Sequence, residues 1–256
     1  MEPNSIQHRL YHDLAYLWPI ISPPEEYVTE AEFWRAALRD NLGPGRHRIL
    51  ELGVGGGHNL SHLTSDFAAT AVDLSPQMLA LSQALNPEVK HRLGDMRTVR
   101  LGMTFDAVLI HDAIGYMLTE EDLLAAFGTA ACHLRPGGVL LVAPDWVRES
   151  FQDSTQPRVF HWVRGLNELE VTVQEFLHDP DPDDTQMEST YTYIINEKGN
   201  QRVEQDTHVT GLFPIATWSR LFQEAGFQVE TVKLPENQGG YGGLLFVGVL
   251  RPGESS

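Results

Sequence analysis

The stretch Ile49-Leu50-Glu51-Leu52-Gly53-Val54-Gly55-Gly56-Gly57 constrains this chain more than any other. Arg48 to Leu52 is a short apolar run of strand length, it breaks into alternating glycines, and a helical pattern follows from about His58 to Ser65. Gly53, Gly55 and Gly57 let a backbone turn sharply and approach a ligand closely, because a Cβ at any of them would fill that space. The next acidic residue at a strand end is Asp73, twenty positions after Gly53. In a βαβ unit this spacing puts a carboxylate at the neighbouring strand tip, where it can accept hydrogen bonds from both hydroxyls of a ribose.

The flanking sequence repeats the pattern. Apolar strands are predicted at Ala68 to Asp73, Val89 to Leu93, Phe105 to Ile110 and Gly138 to Pro144, with helices at Pro76 to Leu85 and Glu120 to His133 between them. Such alternation marks a parallel sheet covered on both faces. Upstream, Ile6, Leu10, Leu14 and Leu17 share one face of a predicted helix from Asn4 to Leu17, and a second helix runs from an N-cap at Thr29 to Asn41, closed by Gly43-Pro44-Gly45. After Asp145 the period changes to two: Arg158 to Trp162, Glu168 to His178, Gln186 to Asn196 and Gln201 to Phe213 read as an antiparallel insertion. A helix from Ile215 to Gly226 and strands at Gln228 to Leu234 and Gly243 to Leu250 close the chain. The expected fold is α/β, a doubly wound, mostly parallel sheet of seven strands with an antiparallel β insertion after the fifth. Three parts are expected: helices in 1–45 covering the site, a core of 46–145 with 214–256, and the insertion 146–213.

Composition excludes several partners. The chain carries 35 Asp and Glu against 18 Lys and Arg, a net charge of −17. Its only lysines are Lys90, Lys198 and Lys233 and its arginines are scattered, so the clustered cations that grip a nucleic-acid backbone are missing. Between Asp145 and Asp206 stand fourteen carboxylates against five basic groups, −9 of the total. The single cysteine, Cys132, allows no internal disulfide, reads as a small apolar residue on the buried face of a helix, and fits the reducing cytoplasm. No signal segment or membrane span is expected. His8 with His12, and His58 with His62, have helical spacing but no third ligand of matching context, so no metal is expected. A Gly-x-Ser-x-Gly elbow, a P-loop lysine and a Cys-x-x-Cys pair are all absent from the sequence.

Glu51 separates two cofactor classes. Dinucleotide sites use G-x-G-x-x-G, whereas the spacing here is G-x-G-x-G, and a carboxylate two residues before the first glycine repels a pyrophosphate but suits a sulfonium and an ammonium. Glu51-x-Gly53-x-Gly55-x-Gly57 resembles the first motif of the class I S-adenosylmethionine-dependent methyltransferases, whose core is Rossmann-like. Gly94-Asp95-Met96, Phe105 to Asp112 and Leu134-Arg135-Pro136-Gly137-Gly138 are similar to its later motifs. The resemblance implies S-adenosylmethionine as cofactor, with Asp73 on the ribose, Leu74 and Met96 packed on adenine, Gly94-Asp95 beside it, and Glu51, Gly53 and Gly55 facing the methionyl part. Tyr11-His12-Asp13-Leu14-Ala15-Tyr16, the insertion, and Thr207-His208-Val209-Thr210-Gly211-Leu212-Phe213 resemble small-molecule N-methyltransferases acting on glycine or on nucleotide-linked amino sugars. In these an N-terminal tyrosine, here Tyr16, closes over the cofactor and the insertion roofs the substrate. The amino-sugar enzymes carry a His after Ile-Gly; this chain has Ile114-Gly115-Tyr116, a departure that reads against an amino-sugar acceptor, since a phenol is the poorer base.

The expected activity is in-line methyl transfer to a small polar molecule, an amine nitrogen before an oxygen, by a monomer or homodimer. Tyr11, His111, Asp112 and Tyr116 are the catalytic candidates, with His111 as base or as a contact of the cofactor's methionyl end, and Asp112 orienting an ammonium. Tyr11, Tyr116, Trp146 and His208 are the candidates for the substrate wall. The alternative from another class is a cofactor-binding sensor or assembly protein without turnover; an NAD-dependent oxidoreductase would need a nicotinamide site the pattern does not show.

Overall fold

The computed structural model describes residues 8–164, 168–236 and 242–251. Strands β1 (Arg48–Leu52), β2 (Ala68–Asp73), β3 (Lys90–Leu93), β4 (Phe105–Ile110) and β5 (Leu134–Val142) are followed by β6 (Arg158–Arg164), β7 (Leu169–His178), β8 (Gln186–Glu197), β9 (Asn200–Gly211), β10 (Phe227–Glu236) and β11 (Gly242–Leu250). The helices are α1 (Trp18–Ile21), α2 (Val28–Leu42), α3 (His58–Ser61), α4 (Pro76–Leu85), α5 (Glu120–His133) and α6 (Ile215–Glu224).

Seven strands form one sheet in the order β10-β11-β5-β4-β1-β2-β3. β3, β2, β1, β4 and β5 run parallel, and β11 joins β5 antiparallel, as β10 joins β11. The period of two explains the two-sided cover. Leu50, Leu52, Val108, Ile110, Leu140 and Val142 pack toward α5 and α6, with Phe127, Trp218 and Phe222. The alternate residues Ile49, Ala107, Leu109, Val139 and Leu141 pack toward α2 and α3, with Trp34, Leu38 and Leu60. Strand order reverses at β1, between β2 and β4, and a crevice opens outside the strand ends at such a switch point.

β6, β7, β8 and β9 form a separate four-stranded antiparallel sheet. Its inner face shares a core with the N-terminal segment: Leu10, Leu14, Leu17 and Ile20 pack on Val171, Val173, Tyr193 and Ile195.

Four sequence expectations change. The helix expected from Asn4 to Leu17 is absent over its described part, where two short 3-10 turns, Arg9–Tyr11 and Ala15–Leu17, lead into α1, which contains Pro19 near its start. Long-range partners outcompete the helix for its backbone and side chains: the Asp206 carboxylate accepts the Leu10 N–H, and Arg9 reaches Glu204. The second helix starts one residue before Thr29, which caps nothing, after a 3-10 turn at Pro24–Tyr27. The helix after the glycine turn ends at Ser61 and gives way to turns. Cys132 stands on the exposed side of α5. Among the described residues no helix is long and apolar enough to cross a membrane.

Candidate active site

The glycine turn leaves β1 with Gly53, Gly55 and Gly57 all at positive φ. Only Gly55 would point a Cβ into open space; at Gly53 a Cβ would lie 2.4 Å from Ala113 and 2.9 Å from Met96, and at Gly57 2.3 Å from the Ser82 hydroxyl. The expectation that all three clear room for a ligand is therefore corrected: Gly53 and Gly57 let protein parts approach, and Gly55 faces the crevice. Asp73, at the tip of β2, accepts the Gly55 N–H at 2.7 Å and the Ser75 N–H at 2.8 Å, which fixes its carboxylate beside that open space. Burial pushes the Asp73 carboxyl upward, against those backbone N–H groups.

Glu51 is buried at the end of β1, and its Oε2 has no hydrogen-bond partner among the described residues. Burial, with help from Asp112 and Asp73 against the pull of His111, raises its carboxyl to about 8. An orphaned carboxyl oxygen beside an open glycine is a place for a positively charged group. Leu74 is 67% exposed next to Asp73, and Met96 packs on the core and approaches Gly53. Asp95, expected beside an adenine, is filled by Arg97, whose backbone N–H donates at 2.8 Å and whose guanidinium lies at 2.7 Å while also reaching Asp122.

Beyond the ends of β1 and β4 lies a cavity of about 660 Å³. The N-terminal segment, the turn after β4 and the inner face of the four-stranded sheet enclose it, with Tyr11, Trp18, Tyr116, Trp146, Trp162, Tyr191, Tyr193 and His208 among its walls. Glu26, Asp112, Asp145 and Glu175 supply carboxylates, and no Lys or Arg lines it among the described residues. Burial, and then repulsion from Asp112, raises Asp145 to about 8. The Ser75 hydroxyl donates to the Tyr11 carbonyl at 2.6 Å, holding Tyr11 over the β2 tip. β9 comes so close to the turn after β4 that a Cβ at Gly211 would sit 2.2 Å from the Met117 carbonyl. That approach brings Tyr116 Oη within 2.7 Å of His208 Nδ1 and 2.7 Å of Tyr11 Oη. Burial raises both phenols well above their ordinary value, so each remains a protonated hydroxyl.

Two sequence-predicted roles change. His111 Nε2 donates to Glu30 at 2.5 Å and Nδ1 lies 3.2 Å from Asp112. Although burial opposes its charge, these two carboxylates raise the imidazole well above 6.5, which favours the imidazolium and a role in holding Asp112 over that of a base. Tyr16 is 43% exposed and sits outside the cavity, its hydroxyl bonded to Arg202 and its ring beneath that guanidinium; Tyr11 takes the inner position. His8, which the sequence pairs with His12, instead lies tilted against His208, with 4.3 Å between ring centroids.

Glu30, Asp145, Glu175, Tyr191 and Asp206 are site residues the sequence reading passed over. Glu30 sits on the apolar stripe of α2 with Trp34, Ala37 and Leu38, a carboxylate out of pattern. Asp206 lies two positions before His208 on one strand, hence on the same face.

Residues 49–138 match the model of a family described as a methyltransferase domain. Over 95% of its length the chain is 33% identical to dTDP-3-amino-3,4,6-trideoxy-alpha-D-glucopyranose N,N-dimethyltransferase of Streptomyces venezuelae, covering 98% of that protein. The chain belongs to the class I S-adenosylmethionine-dependent methyltransferases. This methyltransferase is also 30% identical to dTDP-3-amino-3,6-dideoxy-alpha-D-glucopyranose N,N-dimethyltransferase of Streptomyces fradiae, across 93% of this chain and 91% of that one. Its fold is similar to that of the sugar N-methyltransferase KedS8 from Streptoalloteichus sp ATCC 53650, with a TM-score of 0.81, 26% identity, and coverage of 98% and 97% of the two chains. The cofactor is S-adenosylmethionine, and Glu51, Gly55 and Asp73 present a fitting donor set.

Proposed function

We propose that this methyltransferase transfers a methyl group to the amine nitrogen of a small amino sugar. The observation that carries the reading is the cavity itself, in which Glu26, Asp112 and Asp145 meet an aromatic wall without a lysine or arginine among the described lining residues, the fourth carboxylate, Glu175, being paired with Arg158 behind it. Carboxylates and aromatic faces together select an ammonium group. The names of the similar proteins, which are amino-sugar N,N-dimethyltransferases, point the same way.

In this reading Asp73 takes the cofactor ribose, Leu74 and Met96 border its adenine, and Glu51 with the Gly55 turn faces its ammonium. The bound cofactor supplies an electrophilic methyl group on a sulfonium. Asp112 and Asp145 orient the acceptor amine from the ends of β4 and β5, and Tyr11, Trp146 and Tyr191 bracket its ring. Asp145, raised to about 8 in the protein alone, ionises against an arriving cation. His111, tied to Glu30 and Asp112, fixes the Asp112 carboxylate. The turn-and-sheet arrangement of the N-terminal segment and the insertion roofs the acceptor and excludes water, which strengthens each of these contacts. The single cysteine supports a cytoplasmic setting.

The test is turnover with S-adenosylmethionine against a panel of nucleotide-linked and free amino sugars together with their hydroxyl counterparts, read by mass spectrometry. Mono- and dimethylated amines are expected. Methylation of the hydroxyl compounds alone overturns the amine reading, and S-adenosylhomocysteine binding without any transfer favours a non-catalytic cofactor protein.

A further inference from the structure

Four side chains from three distant parts of the chain form a continuous hydrogen-bonded line into the cavity. His208 Nε2 lies 2.9 Å from Asp206 Oδ2, and the same carboxylate oxygen accepts the Leu10 N–H at 2.9 Å. An acceptor-only carboxylate requires a proton on Nε2, which leaves Nδ1 of the neutral ring as the acceptor. Tyr116 then donates its hydroxyl proton to Nδ1 at 2.7 Å, so Tyr11 donates to Tyr116 at 2.7 Å. With a single proton on His208 every bond runs toward Asp206, and the line ends on a Tyr11 oxygen lone pair at the cavity wall.

We propose that Tyr11, Tyr116, His208 and Asp206 form a proton-exit relay that neutralises the acceptor ammonium before each methyl transfer. The proposal rests on the amine-acceptor reading above. An amine that enters as an ammonium has no lone pair to attack with. Its N–H proton passes to Tyr11 Oη as the Tyr11 proton passes to Tyr116 and the Tyr116 proton to His208 Nδ1. The imidazolium so formed is held by Asp206, which orients the ring and compensates its charge. The neutral nitrogen then attacks in line; the new N–C bond forms as the C–S bond breaks, and the electron pair stays on sulfur. The product is again an ammonium, so a second methylation needs a second proton exit, after His208 has returned its proton to water.

The groups facing His208 are consistent with that cycle. The His8 ring lies 4.3 Å away, Tyr191 5.0 Å, Tyr11 5.5 Å and Tyr116 5.9 Å between ring centroids, all tilted or edge-on, with Asp206 the only carboxylate bonded to it among the described residues. His8 is itself held to about 4, first by burial and then by His208, so it remains neutral beside an imidazolium. Burial keeps the two tyrosines protonated at neutral pH, which makes them conductors of a proton and not its final holders.

The decisive experiment compares kcat against pH for the wild type, His208→Asn and Tyr116→Phe on the best amine of the panel. At pH 7 both variants lose a factor of about 100 or more, the scale of general base catalysis. As pH rises past the acceptor's own amine pKa, the amine arrives neutral and the variants converge on the wild type. An equal loss at every pH means a structural role and overturns the relay, as does full activity at pH 7. A wild type that binds S-adenosylhomocysteine but methylates no amine overturns the amine reading, and the relay with it. Unchanged S-adenosylhomocysteine affinity in both variants shows that the fold is intact. Independently of turnover, ¹⁵N spectra of the cofactor-free protein place the His208 proton on Nε2, and Asp206→Asn mixes the tautomers; a proton on Nδ1 in the wild type refutes the direction of the relay.

Discussion

Replacing Glu51 by Gln tests the cofactor site through its proton. In the free protein burial raises the Glu51 carboxyl to about 8, so at pH 7 it is mostly protonated. A bound ammonium favours the carboxylate. Ionising the group costs about 1.4 kcal/mol for each pH unit below its pKa. At pH 6 the cost is therefore roughly 2.7 kcal/mol, and wild-type affinity should fall about tenfold per pH unit below 8. A hydrogen bond to a charged partner contributes roughly 1.5 to 3 kcal/mol. Wild type and Glu51→Gln should thus bind S-adenosylhomocysteine almost equally near pH 6, then diverge by roughly 10- to 150-fold above pH 8. Calorimetry in two buffers of different ionisation enthalpy should show roughly one more proton released at pH 7 by the wild type than by the variant. The unliganded stability carries the opposite sign. The folded pKa lies above the unfolded value of 4.5, so this stabilisation is fully present below 4.5 and is lost as pH rises through about 8. Urea denaturation should accordingly show Glu51→Gln gaining on the wild type over that window. Parallel affinity curves in the two proteins, or identical proton release, would refute the reasoning.

Three further outcomes follow from the geometry. Glu30→Ala should cost about 3 to 5 kcal/mol of unfolding free energy, because it leaves the buried His111 without one of its two carboxylates; a cost below about 1 kcal/mol would show that His111 is not held as an imidazolium. Tyr16→Phe should leave cofactor affinity within about 0.5 kcal/mol, and a tenfold loss would return Tyr16 to the cofactor site. Gly55→Ala should fold with a penalty of about 1 to 2 kcal/mol from its positive φ yet bind S-adenosylhomocysteine poorly, whereas Gly57→Ala, driven against Ser82, should lower the melting temperature further; equal melting temperatures would contradict that division.

The parallel core was legible because its signals are local. β4 and α5 fall at Phe105–Ile110 and Glu120–His133, as the sequence predicts, since an apolar run or a capped amphipathic stretch needs no distant partner to be recognised. The Thr119 side chain accepting the Asp122 N–H is such a cap. Glu51 and Asp73 were legible for the same reason, standing at fixed offsets from glycines. The N-terminal segment was not. Its apolar residues have helical spacing, but Leu10 and Arg9 are claimed by Asp206 and Glu204, 196 and 195 positions away. His111 shows the other gap. A histidine at the end of the fourth strand reads as a base until the buried Glu30 of α2 is placed against it. Likewise His208 and Tyr116 lie 92 positions apart, and only the close passage of β9 over the turn after β4 joins them.

The shared core of the N-terminal segment and the four-stranded sheet fixes the order in which this enzyme can become active during synthesis. The core that holds Leu10, Leu14 and Leu17 is completed only when Val171, Val173 and Tyr193 have been made, and the Leu10 N–H waits longer still, for Asp206. β1, β2 and β4, which carry Glu51, Asp73 and the crevice, pair with one another through residues before 111. A growing chain therefore encodes the glycine turn and its two carboxylates well before the cavity beside them is enclosed. Closing loops of nearly two hundred residues is entropically slow, so the docking of the N-terminal segment onto the four-stranded sheet is a late step, and the cavity between them is enclosed only when the two ends of that loop have met.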